Sequence, residues 1–134
     1  MNNLIIEKTD STPGVILDYA KNHIEFNGDS RPENVKSFFE PIFDWISEYN
    51  NYLNTTQVAT SEIKLDVNFK LEYFNSSSAK YIIDLVRTLN KIGTENNKVK
   101  VSLNWCHDED DEDMLDTGKE FVRITGVSMN FIAA

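Results

Sequence analysis

From Ile63 to Tyr73 the chain alternates strictly. Ile63, Leu65, Val67, Phe69, Leu71 and Tyr73 hold the odd positions, and Lys64, Asp66, Asn68, Lys70 and Glu72 the even ones. A period of two places every apolar side chain on one face of a strand, so the pattern predicts a strand with all six odd positions facing a core. Shorter versions occur at Val99, Val101, Leu103 and Trp105, at Val127, Met129 and Phe131, at Ile24 and Phe26, and at Val15, Leu17 and Tyr19.

Two helical segments separate these strands. In the first, Val35, Phe38, Phe39, Ile42, Ile46, Tyr49 and Leu53 recur every three or four residues. Ser30-Arg31-Pro32-Glu33 just before them reads as a capping box, and Pro41 inside the run is expected to kink the helix. In the second, Ala79, Ile82, Ile83, Val86 and Leu89 form the stripe. Asn75 to Ser78 supply capping residues at its start, and Gly93 with Asn96-Asn97 mark its end. One-sided strands and amphipathic helices together predict an α/β two-layer sandwich, a mixed sheet with helices mainly on one face. The segment strand–helix–strand from Ile63 to Trp105 has the form of a parallel βαβ unit. No internal repeat or dividing linker is visible, so residues 1–134 read as one domain.

The βαβ reading places chemistry. Both strands of the unit end at the same edge of the sheet. Asn75-Ser76-Ser77-Ser78 follows one, and Trp105-Cys106-His107 with the acidic run Asp108-Glu109-Asp110-Asp111-Glu112-Asp113 follows the other. With the two strands as near neighbours, the serines and the acids would share one rim, where open α/β sheets hold their ligand and regulatory sites.

Charge narrows the function classes. Thirteen Lys and Arg against 22 Asp and Glu give a net charge of −9, of which the acidic run supplies six. Nucleic acid and anionic membrane both call for clustered basic residues, so neither is an expected partner; proteins are. Cys106 is the only cysteine, which precludes an internal disulfide. Met1 to Asp10 has no basic stretch leading into a long apolar run, and no stretch approaches the length of a membrane span, so a cytoplasmic protein is expected.

The serines allow two readings. Capping alone accounts for one of them or for Asn75. A phosphorylation site accounts for them too, because a phosphate at a helix N-terminus meets free N–H groups and the positive end of the helix dipole. The acidic run also divides. It suits a solvated turn entering a short helix that reaches Leu115, a protein-contact surface, or a hard-cation site, though it lacks the glycine turn and spaced final Glu of an EF-hand. Cys106 and His107 occupy adjacent strand positions that point to opposite faces and have no third partner, so they do not form a nucleophile–base pair. His23 falls in an expected exposed turn. Trp45, Phe38, Phe39, Phe43, Tyr49 and Tyr52 are mostly core, with some left for a partner surface.

Two of these segments, taken together, carry a resemblance. Leu71 to Lys80, LEYFNSSSAK, resembles the "YfNTSSsK" motif of the SiaC family of bacterial regulatory phosphoproteins, and Trp105 to Leu115, WCHDEDDEDML, is similar to that family's "W.YDEDDEDM". Gly28 to Asn34 resembles its "GrSyPEn" and Pro41 to Ile46 its "Pi..Wl", so the likeness covers nearly the whole chain. The resemblance implies a fold like the anti-sigma-factor antagonists (STAS-like), no catalytic activity and no cofactor. It implies partner switching: a protein kinase phosphorylates the chain, a PP2C-type phosphatase reverses this, and the unmodified form binds and activates a diguanylate cyclase, adjusting cyclic di-GMP and biofilm formation. The family's phosphoacceptor is the threonine of the NTSS element, which falls on Ser76. Asn75, Ser77, Ser78 and Lys80 flank it, and Trp105 with Asp108 to Asp113 is the implied partner surface. Three positions depart from the pattern: Ser76 for threonine, Cys106-His107 for a pair containing tyrosine, and Arg31 for an aromatic or small residue. Two rival readings stand beside it, a metal-dependent enzyme using the acidic run and His107, and an interaction module in which the serines only cap.

Overall fold

A computed structural model describes residues 1–55 and 62–134. The described residues form strands β1 (Leu4–Ile6), β2 (Gly14–Asp18), β3 (His23–Ser30), β4 (Ile63–Phe74), β5 (Val99–His107) and β6 (Asn130–Ala133), and helices α1 (Val35–Thr55), α2 (Ser76–Glu95) and α3 (Glu112–Thr125). The strands lie side by side in chain order in one mixed sheet. β1–β2 and β2–β3 are antiparallel, whereas β3–β4, β4–β5 and β5–β6 are parallel, each parallel pair bridged by a helix. The two-layer mixed sandwich expected from the pattern is thus the observed architecture.

Every apolar strand stripe meets the helices in one continuous core. Leu65, Val67, Phe69 and Leu71 of β4 join Ile24 and Phe26 of β3 and Val99, Leu103 and Trp105 of β5. Phe39, Ile42, Ile46 and Tyr49 of α1 and Ile82, Leu85, Val86 and Leu89 of α2 cover them. Burying each such side chain is worth about 1.5–3 kcal/mol. Gly118 lets α3 approach β5: a Cβ there would lie 2.5 Å from Cδ1 of Trp105.

The opposite face of the sheet is polar and carries a side-chain ladder. Asn104 Nδ2 donates to Asp66 Oδ1 (2.8 Å) and Asn68 Oδ1 (3.0 Å) on β4. Asn130 Nδ2 of β6 donates to Asn104 Oδ1 at 3.0 Å.

Several local expectations change. Ser30 caps no helix; it ends β3 fully buried, and Asn34 Oδ1 accepts the Ser37 N–H instead (3.1 Å). A capping residue must stand directly before the helix, and α1 begins at Val35. α1 runs through Pro41, whose side is exposed. Gly93 lies inside α2, where its bare backbone fits against Val101, and Asn96 is the cap. The acidic helix does not stop at Leu115 but continues to Thr125, where Gly126 in the left-handed conformation ends it. Val127 is buried in the connection before β6, which starts only at Asn130. His23 opens β3, half-buried, with its ring nitrogens 3.6 Å from Glu25 and 3.7 Å from Asp66.

Candidate functional site

The alternation of β4 breaks at its carboxyl end. Gly28 of β3 pairs with Leu71, but Asp29 pairs with Tyr73, so Glu72 is an extra residue in β4. Such a bulge exchanges the faces of everything beyond it. Tyr73, expected in the core, is 50% exposed. Phe74 turns inward in its place and packs against Trp105 and Phe121.

The exchange also decides how the serine run is divided. Asn75 caps α2, its Oδ1 accepting the Ser78 N–H at 2.9 Å and its backbone carbonyl accepting from Ala79. Its own N–H donates to the Ser30 carbonyl at 3.1 Å. Ser78 is fully buried and its hydroxyl donates to that same carbonyl (3.0 Å). Because Ser78 has spent its proton there, the 2.8 Å contact between the two hydroxyls is a donation from Ser30 Oγ to Ser78 Oγ. Ser76 and Ser77 stay exposed as the first two residues of α2, and Lys80 is exposed one turn on. Among the described residues, the amides of Ser76 and Ser77 have no acceptor, which is the normal state of a helix start open to an anion.

The acidic run enters α3. Asp108 to Asp110 form an exposed turn closed by the Asp111 N–H on the Asp108 carbonyl (3.0 Å). Asp111 caps the helix through Met114 N–H (3.0 Å), and Glu112 and Asp113 complement the dipole in the first turn. Among the described residues none of the six carboxylates is in an ion pair, and all but the half-buried, capping Asp111 are exposed. Trp105 departs from the expected partner surface. It is 1% exposed, and its indole N–H donates to the Met114 carbonyl at 2.9 Å, so it seats α3 from below and cannot touch a partner.

β4 and β5 are parallel neighbours, so the two segments do share one rim. Glu72, Tyr73 and Phe74 of β4 and Asp111, Asp113, Met114 and Thr117 line a common open hollow of about 350 Å³. A second hollow of about 480 Å³ lies beyond it, with Lys70, Cys106, His107 and Asp108 on its wall. Burial pushes the Cys106 thiol pKa up, as do Glu25 and Asp66, while Lys70 opposes them. A nucleophilic cysteine needs the reverse. The imidazole Nδ1 of His107 sits 2.9 Å from the Asp108 carbonyl oxygen. Among the described residues no three His, Cys, Asp or Glu side chains are grouped to hold a metal ion, and no helix is long and apolar enough to cross a membrane.

Comparison with known proteins agrees with the motif resemblance. The model of a family described as SiaC family regulatory phosphoprotein matches residues 6–134. A Pseudomonas aeruginosa protein described as uncharacterized is 29% identical over 121 residues, spanning 90% of this chain and 88% of its own. The crystal structure of apo-SiaC from Pseudomonas aeruginosa is 27% identical, with a TM-score of 0.79 and full coverage of both chains. A crystal structure of the diguanylate cyclase SiaD in complex with its activator SiaC, from the same organism, is matched at 27% identity and a TM-score of 0.81, over 98% of this chain and 99% of the matched one.

Proposed function

This chain belongs to the SiaC family of regulatory phosphoproteins, and we propose that its unmodified form binds and activates a diguanylate cyclase until Ser76 is phosphorylated. A protein kinase transfers the γ-phosphoryl group of ATP to Ser76 Oγ, releasing ADP, and a PP2C-type phosphatase hydrolyses the ester. The chain itself is the switch and carries no catalytic residue. The observation that carries this reading is the division of the serine run: Ser78 is sealed in the core, while Ser76 stands exposed at the open start of α2.

The chemistry follows from that position. Phosphorylation adds about −1.5 to −2 charges at Ser76. The helix start welcomes the dianion, by about 0.3–1 kcal/mol, so the modified chain stays folded. A partner closing over the rim would have to strip water from the dianion while the unpaired carboxylates of the acidic run already occupy its basic groups. Coupling of this kind is typically about 1–3 kcal/mol, or roughly 5–150-fold in affinity.

The test measures cyclic di-GMP synthesis by a cyclase from the same genome with added wild-type chain, Ser76→Ala and Ser76→Asp. Ser76→Ala is expected to stimulate like the wild type and Ser76→Asp to lose most of the stimulation. Equal stimulation by the two variants overturns the proposal. Peptide mapping of the chain from its native cells, with and without phosphatase treatment, then reads the phosphate at Ser76 directly.

A further inference from the structure

A half-exposed tyrosine near the end of a strand whose central apolar side chains, Leu65, Val67, Phe69 and Leu71, are buried calls for a reason. The extra residue Glu72 turns Tyr73 out of the core and brings Phe74 in. Bulges that re-aim one side chain beside a working site are a recurrent device. Here the re-aimed ring borders the hollow shared with Asp111 and Asp113, three residues from Ser76. Glu72, Asp111 and Asp113 around it are unpaired among the described residues. An aromatic residue at the centre with polar groups at the rim is the usual anatomy of a protein interface, and tyrosine is among the residues that dominate affinity.

We propose that Tyr73 is the anchor of the docking surface for the cyclase, inserted into an apolar pocket of the partner that is ringed by Lys or Arg side chains matched to Glu72, Asp111 and Asp113. This rests on the reading of the previous subsection and gives it a mechanism. The basic ring closes next to Ser76 with its charges already matched to Glu72, Asp111 and Asp113, so a phosphate there loses its water with no free cation to replace it. Tyr73 is half exposed and outside the buried core cluster, so its truncation tests contact more than stability.

The experiment uses the full chain and the cyclase, with affinity measured by calorimetry at two salt concentrations. Tyr73→Ala is expected to weaken binding by about 30-fold or more, the level that defines an anchor residue. Tyr73→Phe, which keeps the ring, is expected to stay within about threefold. Glu72→Gln with Asp113→Asn is expected to weaken binding at the lower salt concentration and flatten its salt dependence. Circular dichroism and thermal midpoints of all variants should match the wild type. Wild-type affinity in Tyr73→Ala, with binding still lost in Ser76→Asp, overturns the anchor and leaves the phosphoswitch standing. Loss of phosphorylation by the kinase in Tyr73→Ala, with cyclase binding intact, also overturns it and moves the ring to the kinase interface. A wild-type chain that does not bind the cyclase overturns both proposals together.

Discussion

The buried hydroxyl pair Ser30–Ser78 makes a quantitative prediction, because its two members are not equivalent. Ser78→Ala deletes the acceptor of the Ser30 hydroxyl and leaves a fully buried donor unsatisfied. It also removes one of two donors to the Ser30 carbonyl, which keeps the Asn75 N–H. An orphaned buried donor costs about 1–3 kcal/mol. Ser30→Ala removes only a donation into Ser78 Oγ, whose own proton remains bonded, and should cost about 0.5–1.5 kcal/mol. The double variant has no hydroxyl left to satisfy, so its cost must fall short of the sum of the two, by an interaction of about 0.5–3 kcal/mol. Urea unfolding of the four proteins measures this through the midpoint, provided the slope is constant. In a thermal scan the Ser78→Ala midpoint should fall by roughly 4 °C per kcal/mol lost. Amide exchange in the first turn of α2 should accelerate in Ser78→Ala more than in Ser30→Ala. Additive costs, or a Ser78→Ala cost no greater than that of Ser30→Ala, would refute the assigned direction of the hydroxyl bond.

Two further expectations concern the core. Gly118→Ala places a methyl group 2.5 Å from Trp105 Cδ1 and 2.8 Å from Phe131 Cε1, so it should destabilise by about 1–3 kcal/mol in chemical unfolding and redshift Trp105 fluorescence, whereas an unchanged midpoint would mean that α3 can slide. Burial, reinforced by Tyr52, raises the pKa of the Tyr49 phenol, which donates to Asn22 Oδ1 at 2.8 Å. The folded state therefore holds this proton above pH 10, where the unfolded chain releases it, and stability falls from about pH 10 upward. An alkaline titration should show one phenolate step coinciding with loss of helical ellipticity, and Tyr49→Phe should remove that step.

How much of this was legible in the sequence depended on whether a feature was local. The stripes of β4, β5, α1 and α2 are local periodicities, and they produced the two-layer sandwich and the shared rim. Tyr73 failed because a one-residue insertion is invisible in a pattern that remains perfectly alternating; only the pairing of Asp29 with Tyr73 exposes it. Ser30 failed because its partner is 48 positions away, so a local capping motif competed with a tertiary contact and lost. Trp105 sits in a motif with the acidic run but in a different layer, since the strand ends two residues after it and the acids lie beyond. β1 has only three residues, too few to show any period. α3 outruns Leu115 with Gly118, a poor helix former, inside it, where the bare backbone fits against Trp105 and Phe131.

The polar ladder on the uncovered face has a consequence for how the sheet is assembled. β4, β5 and β6 are parallel and arrive by long crossovers, so no tight turn sets their alignment as one does between β2 and β3. Asn104 supplies the missing gauge, reading both neighbours at once, Asp66 and Asn68 on one side and Asn130 on the other. A slip of one residue would carry its amide into hydrocarbon and expel Trp105 into water. The face without a core thus works as a vernier for the face that has one.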